Sequence, residues 1–512
     1  VPPTVYGICE KCKRRVPAQH AVRDGKVYLT KTCPDHGLTE ALVSSDAAVW
    51  QRKRELWGYD PEAAGDCRIN CAECAHDHHP RMVFVDVTNR CNMNCPICIA
   101  NIPGMGFEFH PPMAYFQKVI AGLAKLDPPP TIQLFGGEPT VRDDLFEIIE
   151  LCRRHGLHAR VVTNGLRLAD EEYCKRLAHV PVLIAFDGRD PEIYRRLRKN
   201  PGAHAKKMKA IENLSRYSRR KNTIMVCVAR HINDAQMGDL LAFIHQHRAV
   251  FNACHLIPLT ETWEEGEFET DVHTTLEDVE RIMADAVPDE PVEFLPIGLL
   301  YRFNTISQFF GASRWTFGGV HPNCETMTVF LSDGERYHPV SYYLRRPLWE
   351  VGREVLDRVA ALEPRLTRLD PRRWLHRWRG RLLIIRSLYG PVRRAINLKH
   401  ALKGNTVLTL LRIIGSLLIG RKGRDIRARY TNLQDPLRMI VLPFEEYHSI
   451  DGARLHRCTA AFGFEDPDTG AIRTVPVCTW SLFKNDIQRK LAAKYGSARA
   501  PAAGAAQALP AT

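Results

Sequence analysis

Between Met82 and Leu259 six apolar, strand-like runs alternate with helical stretches, and this pattern constrains the fold more than any other feature. The runs are Met82–Val87, Thr131–Phe135, Ala159–Thr163, Val182–Phe186, Thr223–Ala229 and Ala253–Pro258. The helical stretches are Met113–Leu126, Arg142–His155, Asp170–Ala178, Ala205–Arg219 and Ala235–His247. Such alternation predicts an α/β fold built on a parallel sheet with right-handed crossovers. Six β/α units predict a partial (β/α)6 barrel rather than a closed eight-unit one. The 512 residues leave room for smaller units on either side. With 45% hydrophobic and 25% charged residues, the composition excludes a mostly disordered chain, a coiled coil and a polytopic membrane protein.

Directly after the first strand comes Cys91-Asn92-Met93-Asn94-Cys95-Pro96-Ile97-Cys98. Three thiolates on one short loop can hold three irons of a [4Fe–4S] cluster and leave the fourth open to an external chelator. An incomplete zinc site, or a cluster with a distant fourth cysteine, fits the spacing alone equally well. The context favours the open cluster, because β/α enzymes build their active sites at the C-terminal ends of strands. The second strand ends in Gly136-Gly137-Glu138-Pro139-Thr140, the third in Thr163-Asn164-Gly165 and the fourth in Asp187-Gly188. Glycine-bearing turns let backbone groups approach a ligand closely.

In these two motifs, Cys91-x3-Cys95-x2-Cys98 after strand one and Gly-Gly-Glu-Pro after strand two, the chain resembles the radical S-adenosylmethionine (SAM) superfamily. The resemblance implies that Cys91, Cys95 and Cys98 hold a [4Fe–4S] cluster, that SAM chelates its open iron, and that Gly136, Gly137 and Glu138, with Pro139 in the same turn, meet the methionine amino group. Reductive cleavage of SAM then yields a 5′-deoxyadenosyl radical that abstracts a hydrogen atom, with a reductant such as ferredoxin or flavodoxin as partner. Asn164, Asp187 and Arg230 are cofactor-site candidates by strand end only, and a turn or salt-bridge role serves each as well.

The chain has 16 cysteines, and clustered cysteines in a large chain expected to have no secretory leader read as metal ligands. Cys9-x2-Cys12 and Cys33-x2-His36 are spaced like the two knuckles of a metal ribbon, for zinc or mononuclear iron. Cys67-x3-Cys71-x2-Cys74 has no strand before it and reads as an auxiliary [4Fe–4S] site closed by a distant Cys324; a second SAM-type cluster or zinc also fits. Cys458 and Cys478 flank a turn at Asp466–Gly470 and are candidates to share a metal. Cys152, Cys174, Cys227 and Cys254 fall inside helix or strand patterns and read as core.

The ribbon segment, the Cys67 group and a late Pro476-Val477-Cys478-Thr479-Trp480 resemble one radical SAM subgroup, which includes the archaeal tetraether lipid synthase. That resemblance implies several iron–sulfur clusters, a mononuclear iron site, and C–C bond formation between lipid alkyl chains. His36 in place of a fourth thiolate departs from the subgroup's pattern and leaves the ribbon metal open.

Charge is concentrated. Residues 345–429 carry 22 Lys and Arg against 6 Asp and Glu, and account for more than the whole chain's net +13. Within this segment Trp374, Trp378, Leu382 and Ile385 share a helical face bordered by Arg372, Arg373, Arg377, Arg379 and Arg381. A basic amphipathic helix with Trp and Leu suits an anionic membrane surface. A helical insertion packed on the barrel is the bland alternative. Nucleic acid is the disfavoured partner, because no aromatic RNA-reading motif accompanies the charge.

The expected organisation is a metal knuckle (1–45), an auxiliary cysteine segment (60–80), a radical SAM partial barrel (81–265), an auxiliary-cluster or substrate region (266–345), basic membrane-surface helices (346–430), a cysteine-containing region (431–495) and a disordered tail (496–512). The expected function is radical abstraction of hydrogen from unactivated lipid carbons with C–C bond formation, in a cytoplasmic protein on the inner face of the membrane. Peptide maturation with auxiliary clusters, RNA modification and a non-catalytic iron–sulfur protein are the rival readings.

Overall fold

The computed structural model describes residues 5–60, 67, 80–261, 268, 270, 272–311, 317–418 and 423–496. Cys71, Cys74 and the expected tail from 497 lie outside the described residues.

The N-terminal module is an antiparallel meander of β1 (Val5–Ile8), β2 (Arg15–Arg23), β3 (Lys26–Cys33) and β4 (Gly37–Ser44). Asp24 and Gly25 both take positive φ, the two-residue turn whose twist matches paired strands. The tight turns after β1 and after β3 carry the two cysteine pairs.

The second sheet contains the expected barrel. Strands β5 (Met82–Thr88), β6 (Thr131–Gly136), β7 (Ala159–Thr163), β8 (Val182–Ala185), β9 (Asn222–Val228) and β10 (Phe251–Pro258) lie side by side in sequence order, all parallel. Helices Met113–Leu123, Leu145–Arg154, Ala203–Tyr217 and Met237–Gln246 cover the outside. Their apolar faces meet Val83, Val85, Leu134, Val161, Ile184, Ile224 and Val226 in the main core.

The sheet does not stop at six strands. The short β11 (Leu295–Pro296), β12 (Thr326–Ser332) and β13 (Tyr337–Pro339) form an antiparallel flank. β14 (Gln434–Val441) lies between β12 and β10, parallel to β10. At the opposite edge β15 (Ala460–Glu465) pairs parallel to β5, and β16 (Ile472–Pro476) folds back on it. The C-terminal cysteine region expected as a separate unit therefore supplies a wall on each side of the barrel.

The basic segment forms helices Leu348–Leu366, Trp374–Ala395, Thr406–Leu418 and Gly423–Tyr430. Ile384 is buried and packs with Phe309, Leu362 and Leu366. The face predicted as apolar points the other way: Trp374 is 69% exposed, Trp378 56%, Leu382 61% and Ile385 56%. No helix among the described residues is long and apolar enough to cross a membrane.

A buried ion triad ties the first helix (Ala47–Trp57) to the barrel side. Lys53 Nζ lies 2.8 Å from Glu277 and 3.0 Å from Glu280, with the lysine fully buried. Removing one partner of a buried pair leaves the other charge uncompensated, at a cost of about 3–5 kcal/mol. Lys53→Met is expected to lower stability by that amount, read as a shift of the urea midpoint; an unchanged midpoint refutes a structural role for the triad.

Candidate active site

The loop after β5 and the turn after β6 are locked together by backbone. Gly137 N–H donates to Thr88 O (2.7 Å) and Glu138 N–H to Arg90 O (2.9 Å), just before Cys91. Gly136 has φ +124°, and a Cβ there would lie 2.2 Å from Thr88 O. A Cβ on Gly137 would lie 2.3 Å from Arg90 O. Only glycine permits this approach.

Cys91, Cys95 and Cys98 line one pocket of about 170 Å3 together with Gly136, Gly137, Glu138 and Asn164. Among the described residues, only Cys9/Cys12/Cys33/His36 and His273/Glu446/His448 have their ligand atoms mutually within 4.8 Å. The three loop thiols share a pocket without all lying within that distance of one another. Burial pushes the Cys91 thiol up to about 12. Bound metal is what holds such a group as thiolate.

Glu138 is buried and fully engaged. Oε1 accepts from Thr140 N (3.1 Å), Thr140 Oγ1 (2.6 Å) and Thr163 Oγ1 (2.7 Å), and Oε2 from Asn164 N (2.6 Å). Burial raises its pKa despite these donors. Asn164 also donates its side-chain amide to Asn92 Oδ1 (2.7 Å) on the cysteine loop. Pro139 opens the 3-10 turn that follows the glycines.

Asp187 and Arg230 stay outside this pocket lining. Asp187 is buried and accepts both arms of Arg198 at 2.9 Å. Burial alone would raise its pKa; Arg198 and Lys207 reverse this and hold it low. Arg230 pairs with Asp278 at 3.8 Å. The cations that do line the pocket, Arg198 and Lys207, were not expected from the sequence. Lys207 donates to Asn164 O (2.7 Å) and Ala185 O (2.5 Å), and burial lowers its pKa to about 8. Helical spacing sets Lys207 on the face of Ala203, Ala210, Ile211 and Leu214, but that position does not by itself tell a pocket cation from a lysine that extends to solvent.

The ribbon residues converge. Cys9 Sγ lies 3.6 Å and Cys33 Sγ 3.4 Å from His36 Nδ1, and Cys12 Sγ lies 3.8 Å from Cys33 Sγ. A tetrahedron with metal–sulfur bonds of about 2.3 Å has edges of about this length. Arg14 donates to Cys12 Sγ (3.4 Å) and lowers that thiol's pKa to about 6. The four side chains thus fit a single metal ion.

Cys324, Cys458 and Cys478 form part of the wall of a further cavity. Arg454 Nη2 reaches Cys324 Sγ at 3.7 Å, and Glu445 N–H points to Cys478 Sγ at 3.5 Å. Cys67 sits in a buried cluster with Ile8, Ile450 and Leu455, against which Cys478 packs. Sites expected to be separate therefore draw on one region. Cys152, Cys174 and Cys254 are buried in the main core as expected, whereas Cys227 lines the cysteine-loop pocket.

That further cavity, of about 180 Å3, occupies the barrel interior and shares Ile99, Phe135, Val162, Met225 and Ile257 with the cysteine-loop pocket. Phe84, Phe462 and Trp480 add to its wall; Phe462 and Trp480 stack with centroids 5.2 Å apart.

Residues 85–244 match the model of the radical SAM superfamily, and residues 1–45 match an N-terminal zinc ribbon domain described as HMPTM. The chain is 25% identical to the 7,8-dihydro-6-hydroxymethylpterin dimethyltransferase of Methanocaldococcus jannaschii, over 94% of each chain. It is 30% identical to the mycofactocin maturase MftC of Mycobacterium ulcerans over 35% of its own length and about half (49%) of that protein's. Among solved structures, SuiB of Streptococcus suis bound to S-adenosylmethionine aligns with a TM-score of 0.36 at 11% identity, covering 58% of this chain and 77% of SuiB.

Gly137→Ala is expected to weaken SAM binding at least tenfold in the reconstituted protein while the cluster's visible absorption persists. Equal SAM affinity in the variant refutes the close-approach argument. The thiol loop and glycine turn at adjacent strand ends, the matching domain and the N-terminal ribbon give one conclusion: residues 85–244 form a radical SAM domain, preceded by a zinc-ribbon module at residues 1–45.

Proposed function

We propose that the enzyme acts on an unactivated alkyl carbon of a lipid and forms a C–C bond there. The observation that carries this reading is the apolar chamber that shares its wall with the SAM-side pocket. When bound, the cluster and SAM supply a 5′-deoxyadenosyl radical able to take a hydrogen atom from such a carbon. The chain's own residues do the rest. Ile99, Phe135, Val162, Met225 and Ile257 bring an apolar chain end beside the cysteine loop and exclude water. Glu138 and Asn164 brace that loop, and Lys207 offers positive charge beside it, the charge of Arg198 being met by Asp187. Cys324, Cys458 and Cys478 are the residues that would hold an auxiliary cluster at the chamber's other side, with Cys67 adjoining. Coupling two saturated carbons removes one hydrogen atom from each and so consumes two SAM and two electrons.

A membrane supplies such a substrate, and the exposed Trp374, Trp378, Leu382 and Ile385 flanked by arginines form a face suited to an anionic one. Each basic side chain near such a surface contributes about 1 kcal/mol.

Methylation of a pterin is the second reading, favoured by the similarity to the dimethyltransferase along nearly the whole chain. A pterin ring requires several matched donors and acceptors. The chamber's polar wall groups besides the cysteines are His255, Thr260, Glu325, Glu445, Ser481 and Lys484, set among a larger number of apolar side chains.

The deciding experiment supplies anaerobically reconstituted enzyme with reductant, SAM and either membrane lipid extract or hydroxymethyl-dihydropterin, with Cys91→Ala as control. Lipid-stimulated 5′-deoxyadenosine and a lipid product two hydrogens lighter per new bond are expected. Stimulation by the pterin alone, with a methylated product, overturns the lipid reading. Separately, binding to phosphatidylglycerol-containing vesicles is expected to fall as salt rises, and at least tenfold in a Trp374→Ser/Trp378→Ser variant. Vesicle binding unaffected by both removes this face from the account.

A further inference from the structure

The end of the barrel away from the cysteine loop is open and strongly basic. A cavity of about 360 Å3 there is lined by Arg160, Arg219, Arg220, Lys221 and Arg438, with Asn252 and Thr223, and by no carboxylate. Arg160 is the second residue of β7, Arg219–Lys221 precede β9, and Arg438 lies in β14. The register pairs Arg438 with Ala253 and Ala253 with Thr223, so these strands bring the guanidinium to the same barrel level.

Some arginines elsewhere on the surface are paired. Arg153, Arg189 and Arg195 each hold a carboxylate within 2.8 Å. Among the described residues, the side chains of Arg160, Arg219, Arg220 and Arg438 make no hydrogen bond or ion pair; Lys221 meets only the carbonyls of Arg248 and Ala249. Burial depresses the Arg160 pKa, and the neighbouring charges of Arg438 and Arg220 add to this. Like charges gathered without a counter-charge are unfavourable unless an anion joins them.

This mouth leads toward the apolar chamber. Leu183 lines both. His255 lines the chamber close enough to Arg160 and Arg438 that burial, reinforced by their charges, lowers its pKa to about 3. It is therefore neutral at working pH. Strand β9 has seven residues, about 23 Å at roughly 3.3 Å each. A ligand that touches both ends must be long, apolar along its length and anionic at one end.

We propose that the basic lower mouth seats the phosphate-bearing headgroup of the lipid whose chain fills the chamber, so that headgroup capture sets how far the chain reaches toward the cysteine loop. This assignment rests on the alkyl-chain reading above. Arginine is suited to it because its planar fork pairs with two phosphate oxygens at once.

The test titrates the SAM-loaded holoenzyme with a phosphate-headed dialkylglycerol in detergent, its phosphate-free counterpart and glycerol 3-phosphate. The same titrations are made on Arg160→Gln/Arg438→Gln and Arg160→Lys/Arg438→Lys variants, with SAM affinity as the check on folding. The wild type is expected to prefer the phosphate-headed lipid at least tenfold over the neutral one. That preference is expected to fall to within twofold in the glutamine variant and to return in part with lysine. A preference unchanged in the glutamine variant, or none in the wild type, overturns the proposal. Glycerol 3-phosphate binding as tightly as the lipid identifies a soluble phosphate ester and overturns the headgroup assignment. Binding of neither lipid, with glycerol 3-phosphate binding lost in the glutamine variant, overturns the alkyl-chain reading while showing the mouth to be an anion seat.

Discussion

The contact between the Gly136–Gly137 turn and the carbonyls of Thr88 and Arg90 is the constraint on which the site depends. Two adjacent parallel strands end at the same height, and their loops touch through backbone alone, with room for no Cβ on either glycine. That approach carries Glu138 into the space beneath the cysteine loop. There its carboxylate gathers donors from its own turn and from the end of β7. One buried acid thus stitches β6 to β7, and Asn164 carries the connection back to Asn92 on the cysteine loop. A larger residue at either glycine would separate the loop from the turn, and the pocket between them would lose its floor.

The second constraint is what fills the barrel. An eight-stranded α/β barrel normally packs its interior with layers of side chains. Here the sheet stays open, with β14 and β15 as extra walls, and the inward positions leave a chamber instead. The residues that close it come from distant stretches of the chain. Lys484, on helix Val477–Lys494, donates to Ala100 O (2.8 Å) just past Cys98, and Trp480 donates to Asp86 Oδ2 (2.8 Å) on β5. The C-terminal helix therefore pins the chamber wall and the cysteine loop together, and the cysteines at both ends of the β15–β16 hairpin line that wall.

How much of this was legible follows from the range of the interactions involved. All six barrel strands were readable within a residue or two, because a strand buried on both faces is a continuous apolar run between turn residues. The glycine turn and the thiol loop were readable because their chemistry is local. Helix Pro191–Arg198 was not, since its four charged residues mask the short apolar set Ile193, Tyr194 and Leu197 that it buries. With it went Arg198, whose role depends on meeting Asp187 across the loop. The convergence of Cys324, Cys458 and Cys478 was hidden too: they lie more than a hundred residues apart in part, and only sheet order joins them. The unpaired arginines of the lower mouth escaped for the same reason, being single residues in unrelated strands and loops.

Helix Trp374–Ala395 shows why amphipathicity alone does not assign a partner. Its sequence offers two apolar faces, and the packing uses the narrower one. Gly380 lets the helix approach Phe309, where a Cβ would lie 2.3 Å from the ring, and Ile384 follows on the same side. The wider face, with both tryptophans, is left in water. Had the segment been a plain packed insertion, the larger apolar surface would have been the one to bury, since burial is worth about 25 cal/mol per Å2. This exposed face is the one that the proposed binding to an anionic bilayer would cover.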